Sequence, residues 1–433
     1  MRSLPRPEPP LDARWLDLLS ENCGELRGGG ARFEDLYLEQ RLELKAAVTG
    51  GELEIETCRL EGVAARWRSP SRVMLYARTG ISTAAIGELL ARHADRVPMP
   101  STRLIPAPEM DPPRAWKDWV RNLTQRLAPF HGVVRYISRR AAVVRAEGWT
   151  PISTPALIRV ERRGEASSAL LAVWGHPRLG SWIERLLEGN PTKTWAAPAG
   201  TRLPVLFTDG TAGIFLHEAV GHMAESDLAR AGGSPLSELL GAAVSSPGLE
   251  VIDDPSRTDL PGSFDYDDEG VRAAPVTLIR NGRFESFLCD REGGRGLRCD
   301  AGRGRRAVWS LPPVARLSNL VITAGATRPQ DLEADLERGL VVTRVGGARV
   351  DPVSLRIVLK VERGWEVRHG RRRRPLAPCE LTGNVLESLA NIDPRIGDDP
   401  TPDWRLGWCV KDGVPLPTGS EAPSLLVDRL EVL

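Results

Sequence analysis

The chain has 433 residues, a formal net charge of +1 at pH 7, six cysteines and no apolar run long enough to cross a membrane. This length predicts two or three domains, and the near-neutral charge argues against a nucleic-acid partner. Because the start of the chain lacks the apolar core of a signal peptide and the cysteines form no C-x-x-C pair, we expect a cytoplasmic protein with reduced thiols and no disulfide framework.

The N-terminal half mixes helical and strand patterns. The apolar residues of LYLEQRLELKAAV share one parity, which predicts a strand with one buried face. STAAIGELLARHADR predicts a helix capped by Ser82 or Thr83. In PRAWKDWVRNLTQRL, Trp116 and Trp119 align with other apolar residues, which favours core packing over a cofactor site. Further expected elements are a helix in LDARWLDLLSEN, strands in ELEIETC and SRVMLYARTG, and a hairpin in ALIRVERRGEASSALLAVWG that turns near Gly164.

The stretch NPTKTWAAPAGTRLP is rich in Pro, Gly and Thr and marks the domain boundary. We predict an α+β protein, with a mixed α/β domain at residues 1–198 followed by a strand-rich domain at residues 199–433. PVLF is expected to be a strand, and Asn281-Gly282 predicts a hairpin turn. RPQDLEADLERG predicts a helix that ends at Gly339, and SLRIVLKV alternates as a strand does. The charge run GRRRRP is more typical of a solvated turn than of a phosphate site.

The segment GIFLHEAVGHMAESD places His217 and His222 five positions apart. On a straight helix, residues four positions apart lie about 40° apart around the axis, whereas five positions give about 140°, too far for one metal ion. A π-type turn or a local break between Leu216 and Met223 would restore the alignment, and Gly221 would tolerate the distorted backbone. The alternative is a core helix with one buried and one exposed histidine.

Glu218 follows the first histidine, the position that the general base of a zinc hydrolase occupies. Such a site needs three protein ligands and one open position for water. Chemistry allows several third ligands, and the residue pattern does not choose among them: Glu225, Asp227, Cys289, Cys299, Cys379 and Cys409.

LHEAVGHMAESD resembles the H-E-A-V-G-H-x-x-E-x-D signature of the TldD/PmbA family of metallopeptidases, also known as modulators of DNA gyrase. The similarity extends over the C-terminal half, whereas the N-terminal half matches more loosely, by the order of its elements. Other segments similar to family motifs are PAGTRLPVLFTDGTAG, DYDDEGV, GRGRRAVWSLPPVARLSN, GGARVD, CELTGNVLESLANID and WCVKDGVPLPTGSEAPSLLVDRLEV.

In this family, TldD-type subunits carry the metal motif and PmbA (TldE)-type subunits have lost it, so the chain resembles the TldD type. The resemblance implies a zinc ion held by His217, His222 and Cys409, and a thiolate ligand suits zinc. It implies that Glu218 is the base in the hydrolysis of unfolded or short peptides, including leader peptides of ribosomally made natural products. It also implies a homodimer, or a heterodimer with a PmbA/TldE-type subunit.

The chain departs from the family pattern without losing an implied ligand. These departures put the substrate preference and the partner surface in question: Met223, Ala224, Ser226, Trp309, Val410 and Val414. Two other functions stay open. One is a non-catalytic regulator, a gyrase modulator or chaperone-like binding protein, although a pure binder has no need of Glu218. The other is a metal-dependent hydrolase of substrates that are not peptides.

Overall fold

The structure is a computed structural model, which describes residues 9–23, 26–28, 30–49, 52–94, 99–100, 104, 110–127, 131–163, 168–188, 191, 193–297, 299–405 and 407–433. Its several sheets and shorter helices form an α+β fold, as predicted. Within these residues, no helix is long and apolar enough to cross a membrane.

In its described residues, the N-terminal part is an antiparallel sheet with four helices. Its elements are α1 (Ala13–Cys23), β1 (Arg27–Gly28), β2 (Ala31–Thr49), β3 (Glu52–Arg68), β4 (Val73–Thr79), α2 (Thr83–Leu90), α3 (Trp116–Leu127), β5 (His131–Arg145), β6 (Gly148–Ile152), β7 (Leu157–Arg163), β8 (Ser168–Val173) and α4 (Leu179–Leu187). The strands follow the order β4-β3-β2-β5-β7-β8, with β1 paired to β2 and β6 paired to β5.

Local patterns predicted this sheet well. The apolar residues of one parity in β2 are all buried, so the predicted half-buried strand is confirmed. Ser82 caps α2, because its hydroxyl accepts a hydrogen bond from the Ala85 N–H at 3.1 Å. Trp116 is 1% exposed in the core, as expected. β7 and β8 pair as the predicted hairpin, whose turn near Gly164 lies outside the described residues.

The C-terminal part contains most of the strands. Its elements are β9 (Arg202–Phe207), α5 (Ala212–Leu216), a π-helical turn (His217–Gly221), a 3₁₀ turn (His222–Ala224), α6 (Ser226–Arg230), a second 3₁₀ turn (Pro235–Glu238), β10 (Val251–Asp253), β11 (Val276–Arg280), β12 (Arg283–Phe284), α7 (Arg291–Leu297), β13 (Gly304–Arg305), β14 (Val314–Ala315), β15 (Asn319–Ile322), α8 (Pro329–Ala334), β16 (Arg338–Asp351), β17 (Arg356–Arg368), β18 (Arg371–Pro375), β19 (Cys379–Asn384), α9 (Val385–Ala390), β20 (Thr401–Asp403), β21 (Trp408–Lys411), β22 (Val414–Pro417), β23 (Gly419–Ala422) and β24 (Leu425–Val432).

Two six-stranded sheets enclose the segment that carries the histidines. One has the order β16-β9-β24-β19-β17-β18, and because β16 also pairs with β17, five of its strands close into a ring. The other has the order β12-β11-β10-β15-β23-β20, and two ribbons, β13–β14 and β21–β22, stand apart. α5 contacts β16 of the ring and β15 and β23 of the second sheet. The histidine segment is therefore held in the main hydrophobic core.

For this part, the structure confirms the predicted hairpin turn and corrects the predictions for one helix and for the charge run. Asn281 and Gly282 form the predicted hairpin turn, with φ of 47° and 75°. The prediction that a helix ends at Gly339 is wrong, because α8 ends at Ala334 and Gly339 already pairs in β16. The charge run GRRRRP is solvated as expected, but it forms the exposed strand β18 rather than a turn, because it pairs with β17.

The expectation that all thiols are reduced is also wrong. Cys289 and Cys299 form a disulfide, with their Cα atoms 6.2 Å apart. Their separation of ten residues is not a C-x-x-C spacing, so the sequence pattern did not indicate the pair. The segment around α7 brings them together, because Cys289 and Ala301 pair as neighbouring extended residues.

The two parts of the chain meet through buried charges. Arg66 of β3 donates hydrogen bonds to Asp35 of β2 and to Glu269 of the C-terminal part, and all three side chains are at most 5% exposed. Arg139 of β5 likewise donates to Asp268. Buried charges are tolerated when each finds an opposite partner, so this set fixes how the two parts sit against each other.

Trp309 adds an apolar contact to this interface. It packs in a small buried cluster with residues of the N-terminal sheet. A Cβ added at Gly62 of β3 would lie 2.1 Å from the Trp309 ring. Only glycine leaves room for the indole at this position.

Candidate metal centre

A π-helical turn begins at His217 and is capped by His222, which starts the following 3₁₀ turn. The backbone N–H of His222 donates to the carbonyl of His217, five residues earlier. The wider turn brings the two imidazoles together, with ring centroids 4.8 Å apart and planes at 85°. The predicted π-type turn between Leu216 and Met223 is confirmed. The alternative, a core helix with one buried and one exposed histidine, is wrong because the His222 side chain is only 13% exposed and lies against His217.

The expected role of Gly221 in this turn is wrong. Its backbone angles, φ −57° and ψ −59°, are helical and open to any residue. A Cβ at this position would, however, lie 2.3 Å from the Leu317 side chain. Glycine is needed for the close approach of Leu317, not for an unusual backbone conformation.

Cys409 joins the two histidines from a distant part of the chain. It lies on β21, and its Sγ is 3.1 Å from Nε2 of His222. One ligand atom from each of His217, His222 and Cys409 lies within 4.8 Å of the others. His217 and Cys409 are 1% and 4% exposed, so solvent reaches the cluster mainly past His222.

The cluster fits a zinc-type ion. Both ring nitrogens of His217 are buried, and neither has a hydrogen-bond partner among the described residues. An unpaired buried polar atom costs free energy, and a metal ion would satisfy one of the two nitrogens. Two imidazoles and one thiolate are a donor set that zinc prefers, and three protein ligands leave a fourth position open.

The other candidates for the third ligand lie outside this cluster. Asp227 forms an ion pair with Lys411 at 2.7 Å. Cys289 and Cys299 are bonded to each other, and Cys379 lies on β19 of the strand ring. Glu225, the remaining candidate, lies behind His222 rather than beside the other ligand atoms.

Glu225 connects the cluster to a buried charge network. Its Oε2 lies 3.2 Å from Nδ1 of His222 and accepts a hydrogen bond from Lys411 Nζ at 2.7 Å. Its Oε1 accepts from the Leu317 N–H at 3.3 Å and lies 3.5 Å from Nε of Arg316. Burial alone would raise the pKa of Glu225, but His222, Lys411 and Arg316 lower it to about 2. A carboxylate in this position fixes the imidazole orientation of a metal ligand.

Arg316 contacts the third member of the cluster. Its Nη2 lies 3.1 Å from Cys409 Sγ and donates to the Cys409 carbonyl at 2.8 Å. Burial raises the pKa of the Cys409 thiol, but the neighbouring His217 and His222 outweigh it, so this pKa lies well below its ordinary value. A thiolate is the form that binds metal.

Sequence reasoning missed Arg316 and Lys411. Arg316 lies inside GRGRRAVWSLPPVARLSN, the segment similar to a family motif, but the motif does not say what it contacts. Lys411 lies two residues after Cys409 on β21, and residues with this spacing share one face of a strand. That spacing could have indicated that Lys411 lies on the same side of the strand as Cys409.

Glu218 shares a cavity with the cluster. It is 9% exposed and lines the same cavity as the two histidines and Cys409. Burial raises the pKa of Glu218, and the charges of His222 and His217 oppose this only in part. A carboxyl group with a raised pKa is a better proton acceptor near neutral pH than an ordinary glutamate.

The cavity above the cluster has a volume of about 1070 Å³. The N-terminal part contributes Arg159 and Leu171 to its wall, and residues 345–350 of β16 form another side. Residues 340–342 of β16 pair with β9, but residues 344–351 pair only with β17 among the described residues. One edge of β16 is therefore free along the cavity. Val410, one of the departures from the family pattern, is 60% exposed at the same cavity.

Comparison with known proteins relates the chain to metallopeptidases. Residues 200–433 match the family described as the PmbA/TldA metallopeptidase C-terminal domain. A metalloprotease from Methanothermobacter thermautotrophicus is 33% identical over 252 residues, which cover 58% of this chain and 53% of the relative. A metalloprotease TldD homolog from Haemophilus influenzae is 32% identical over 238 residues, which cover 55% and 49%. The match spans about half the length of these curated relatives.

The fold is similar to a solved structure over nearly its whole length. TldE from Thermococcus kodakarensis superimposes with a TM-score of 0.69, covering 92% of this chain and 96% of that chain. The two sequences are 16% identical, so this similarity concerns the fold alone.

Proposed function

The chain belongs to the PmbA/TldA metallopeptidase family, and we propose that it is a zinc-dependent peptidase of the TldD type. The observation that carries the proposal is the convergence of His217, His222 and Cys409 within 4.8 Å, in a cavity that Glu218 also lines. The names of the relatives support a metalloprotease, and the donor set supports zinc.

In this proposal each residue of the cluster has a separate role. His217, His222 and Cys409 hold the ion, while Glu225 and Arg316 keep His222 and Cys409 in position. When bound there, zinc would supply Lewis-acid chemistry, which polarises a carbonyl group and lowers the pKa of water to about 7.

Glu218 supplies the proton transfers. It accepts a proton from the attacking water and passes it to the leaving amine, so one carboxylate serves both halves of amide hydrolysis. Its burial beside the cluster favours this, because a raised pKa brings the group closer to the working pH. A non-catalytic regulator would have no use for this arrangement.

We propose unfolded or short peptides as substrates, with leader peptides of ribosomally made natural products as one class. The free edge of β16 can form main-chain hydrogen bonds with an extended peptide, without selecting for particular side chains. The cavity of about 1070 Å³ exceeds the usual range for small ligands and has room for several residues of a peptide.

We further propose that residues 199–433 form the catalytic domain and that the chain works as a homodimer or with a PmbA/TldE-type subunit. The similarity of the fold to TldE from Thermococcus kodakarensis supports a pairing of this kind. Light scattering of the chain alone, and mixed with a TldE-type chain, distinguishes the two assemblies. A monomer under both conditions would contradict the proposal.

The experiment measures zinc content and cleavage of a fluorescent unstructured peptide. Glu218→Gln should keep its zinc and lose at least ~10²-fold in turnover, the lower end of general-base contributions. Cys409→Ser should lose most of its zinc, and Glu238→Gln, an exposed glutamate outside the cavity, should match wild type. Zinc-loaded wild type that binds the peptide without cleaving it would refute the peptidase and favour the regulator.

A further inference from the structure

A second cavity, of about 570 Å³, lies between the two parts of the chain. α4 contributes Arg185 to its wall, and the next residue after that helix contributes Glu188. The strand pair β16–β17 contributes Arg344 and Arg363. The proposed peptidase mechanism uses none of these residues.

Arg344 is the unusual member of this wall. It is 4% exposed, and its guanidinium donates to the backbone carbonyl of Arg185 and lies 5.8 Å from the Trp404 ring. Among the described residues, no carboxylate oxygen lies within 4.0 Å of it. Buried arginines are normally paired with an acid, because removing an uncompensated charge from water is costly.

The carboxylates near Arg344 already have other partners. Glu188 pairs with Arg363 at 3.0 Å, and Glu362 pairs with Arg405 at 2.5 Å. On the cavity wall, Asp209 pairs with Arg185 at 3.2 Å. Positive charge therefore exceeds negative charge around the Arg344 guanidinium.

The electrostatics agree with this geometry. Burial, together with the charges of Arg405, Arg363 and Arg185, lowers the pKa of Arg344 to about 10, and Glu362 offsets this only in part. An anion in the cavity would relieve both the burial cost and the repulsion among these arginines.

We propose that this cavity is a binding site for a small oxyanion, a carboxylate or a phosphate, with Arg344 as its central ligand. A guanidinium offers parallel N–H donors that match both groups, and such bonds strengthen when water is excluded. The volume lies within the range of small-molecule sites. The site is separate from the metal cluster, so it can exist whether or not the chain is a peptidase.

The test is isothermal titration of the zinc-loaded chain with inorganic phosphate and with glutarate at constant ionic strength. Wild type should bind at least one of these probes saturably, with one site per chain. Arg344→Met, which keeps the apolar stem, should weaken that binding by about 10-fold or more, the loss expected for a charge-assisted pair. Phosphate alone, glutarate alone or both would each support the site and identify its chemistry.

Three further variants make the result decisive. Arg328→Met removes an exposed arginine, 71% accessible in its side chain, and should bind as wild type does. Arg344→Lys keeps the charge but not the planar donors, so it should bind weakly even if Arg344→Met fails to fold. Cys409→Ser should bind the anion like wild type, because the metal cluster is not the site.

Two outcomes overturn the inference. One is the absence of saturable binding of either probe to wild type. The other is binding that Cys409→Ser abolishes while Arg344→Lys leaves it unchanged, which would place the anion at the metal cluster. Neither outcome bears on peptide cleavage, so the proposed function is tested separately.

Discussion

Replacing Glu225 with Gln keeps the shape of the side chain and removes the negative charge behind His222. In the structure this carboxylate is fully buried, lies 3.2 Å from Nδ1 of His222 and accepts from Lys411 at 2.7 Å. Glutamine supplies no charge, so the imidazole loses part of its basicity and is held less firmly in its orientation.

The size of the effect follows from the role of such groups. Loss of a carboxylate behind a metal-bound histidine typically costs about 10- to 100-fold in metal affinity, or roughly 1.4 to 2.8 kcal/mol. Because Glu225 is inaccessible to solvent, we expect a loss in the upper half of this range, about 30- to 100-fold. The measurement is zinc affinity by competition with a fluorescent chelator at fixed pH.

The matched control is Asp227→Asn. Asp227 shares the Lys411 ammonium with Glu225, but its side chain is 33% exposed, and among the described residues it accepts hydrogen bonds from Lys411 and the Leu228 N–H rather than from His222. This variant should keep zinc affinity within about 3-fold of wild type, as expected for a partly exposed ion pair. Unchanged affinity in Glu225→Gln, or an equal loss in Asp227→Asn, would refute the positioning role of Glu225.

Three more predictions concern packing and pH. Gly221→Ala places a Cβ 2.3 Å from Leu317, and we expect chemical denaturation to show a free energy of unfolding lower by about 1–3 kcal/mol. An unchanged free energy of unfolding would mean that Leu317 moves freely. Gly62→Ala, whose Cβ would meet the Trp309 ring at 2.1 Å, should lower the free energy of unfolding by a similar amount. Adding Trp309→Leu should remove most of the loss caused by Gly62→Ala. Additive losses of the two single variants would contradict the contact. Burial and the charge of Glu269 raise the pKa of Asp267 to about 8, so the folded chain holds a proton that the unfolded chain releases near pH 4. The stability that this proton contributes is present below about pH 4 and is lost as the pH rises to about 8. Asp267→Asn should therefore lose less free energy of unfolding between about pH 4 and about pH 8 than wild type does. Equal losses in the two proteins would refute the shift.

Short-range patterns predicted the local structure because the cause of each element lies nearby in sequence. The parity of β2, the Ser82 cap and the Asn281-Gly282 turn each depend on a few adjacent residues. The π-helical turn was also predictable, since the spacing of His217 and His222 leaves few ways to bring two imidazoles together. The helix predicted up to Gly339 failed because strand pairing with β17 overrode the local pattern.

The composition of the site could not be derived in the same way. Cys409 follows His222 by 187 positions, and only the packing of β21 against the π-helical turn brings them together. The residue pattern left six candidates for the third ligand, and the family resemblance, not the spacing, selected Cys409. Arg316 depends on a similar long-range contact, so no periodicity indicates that it touches the thiol.

The most direct test of the account is X-ray absorption at the zinc edge of the loaded protein. We predict two nitrogen ligands at about 2.0–2.1 Å and one sulfur at about 2.3 Å, with a fourth position filled by a light atom. In Cys409→Ser, the sulfur contribution should disappear along with most of the bound zinc. A spectrum of the wild type without sulfur, or one that Cys409→Ser leaves unchanged, would contradict a metal centre built from His217, His222 and Cys409.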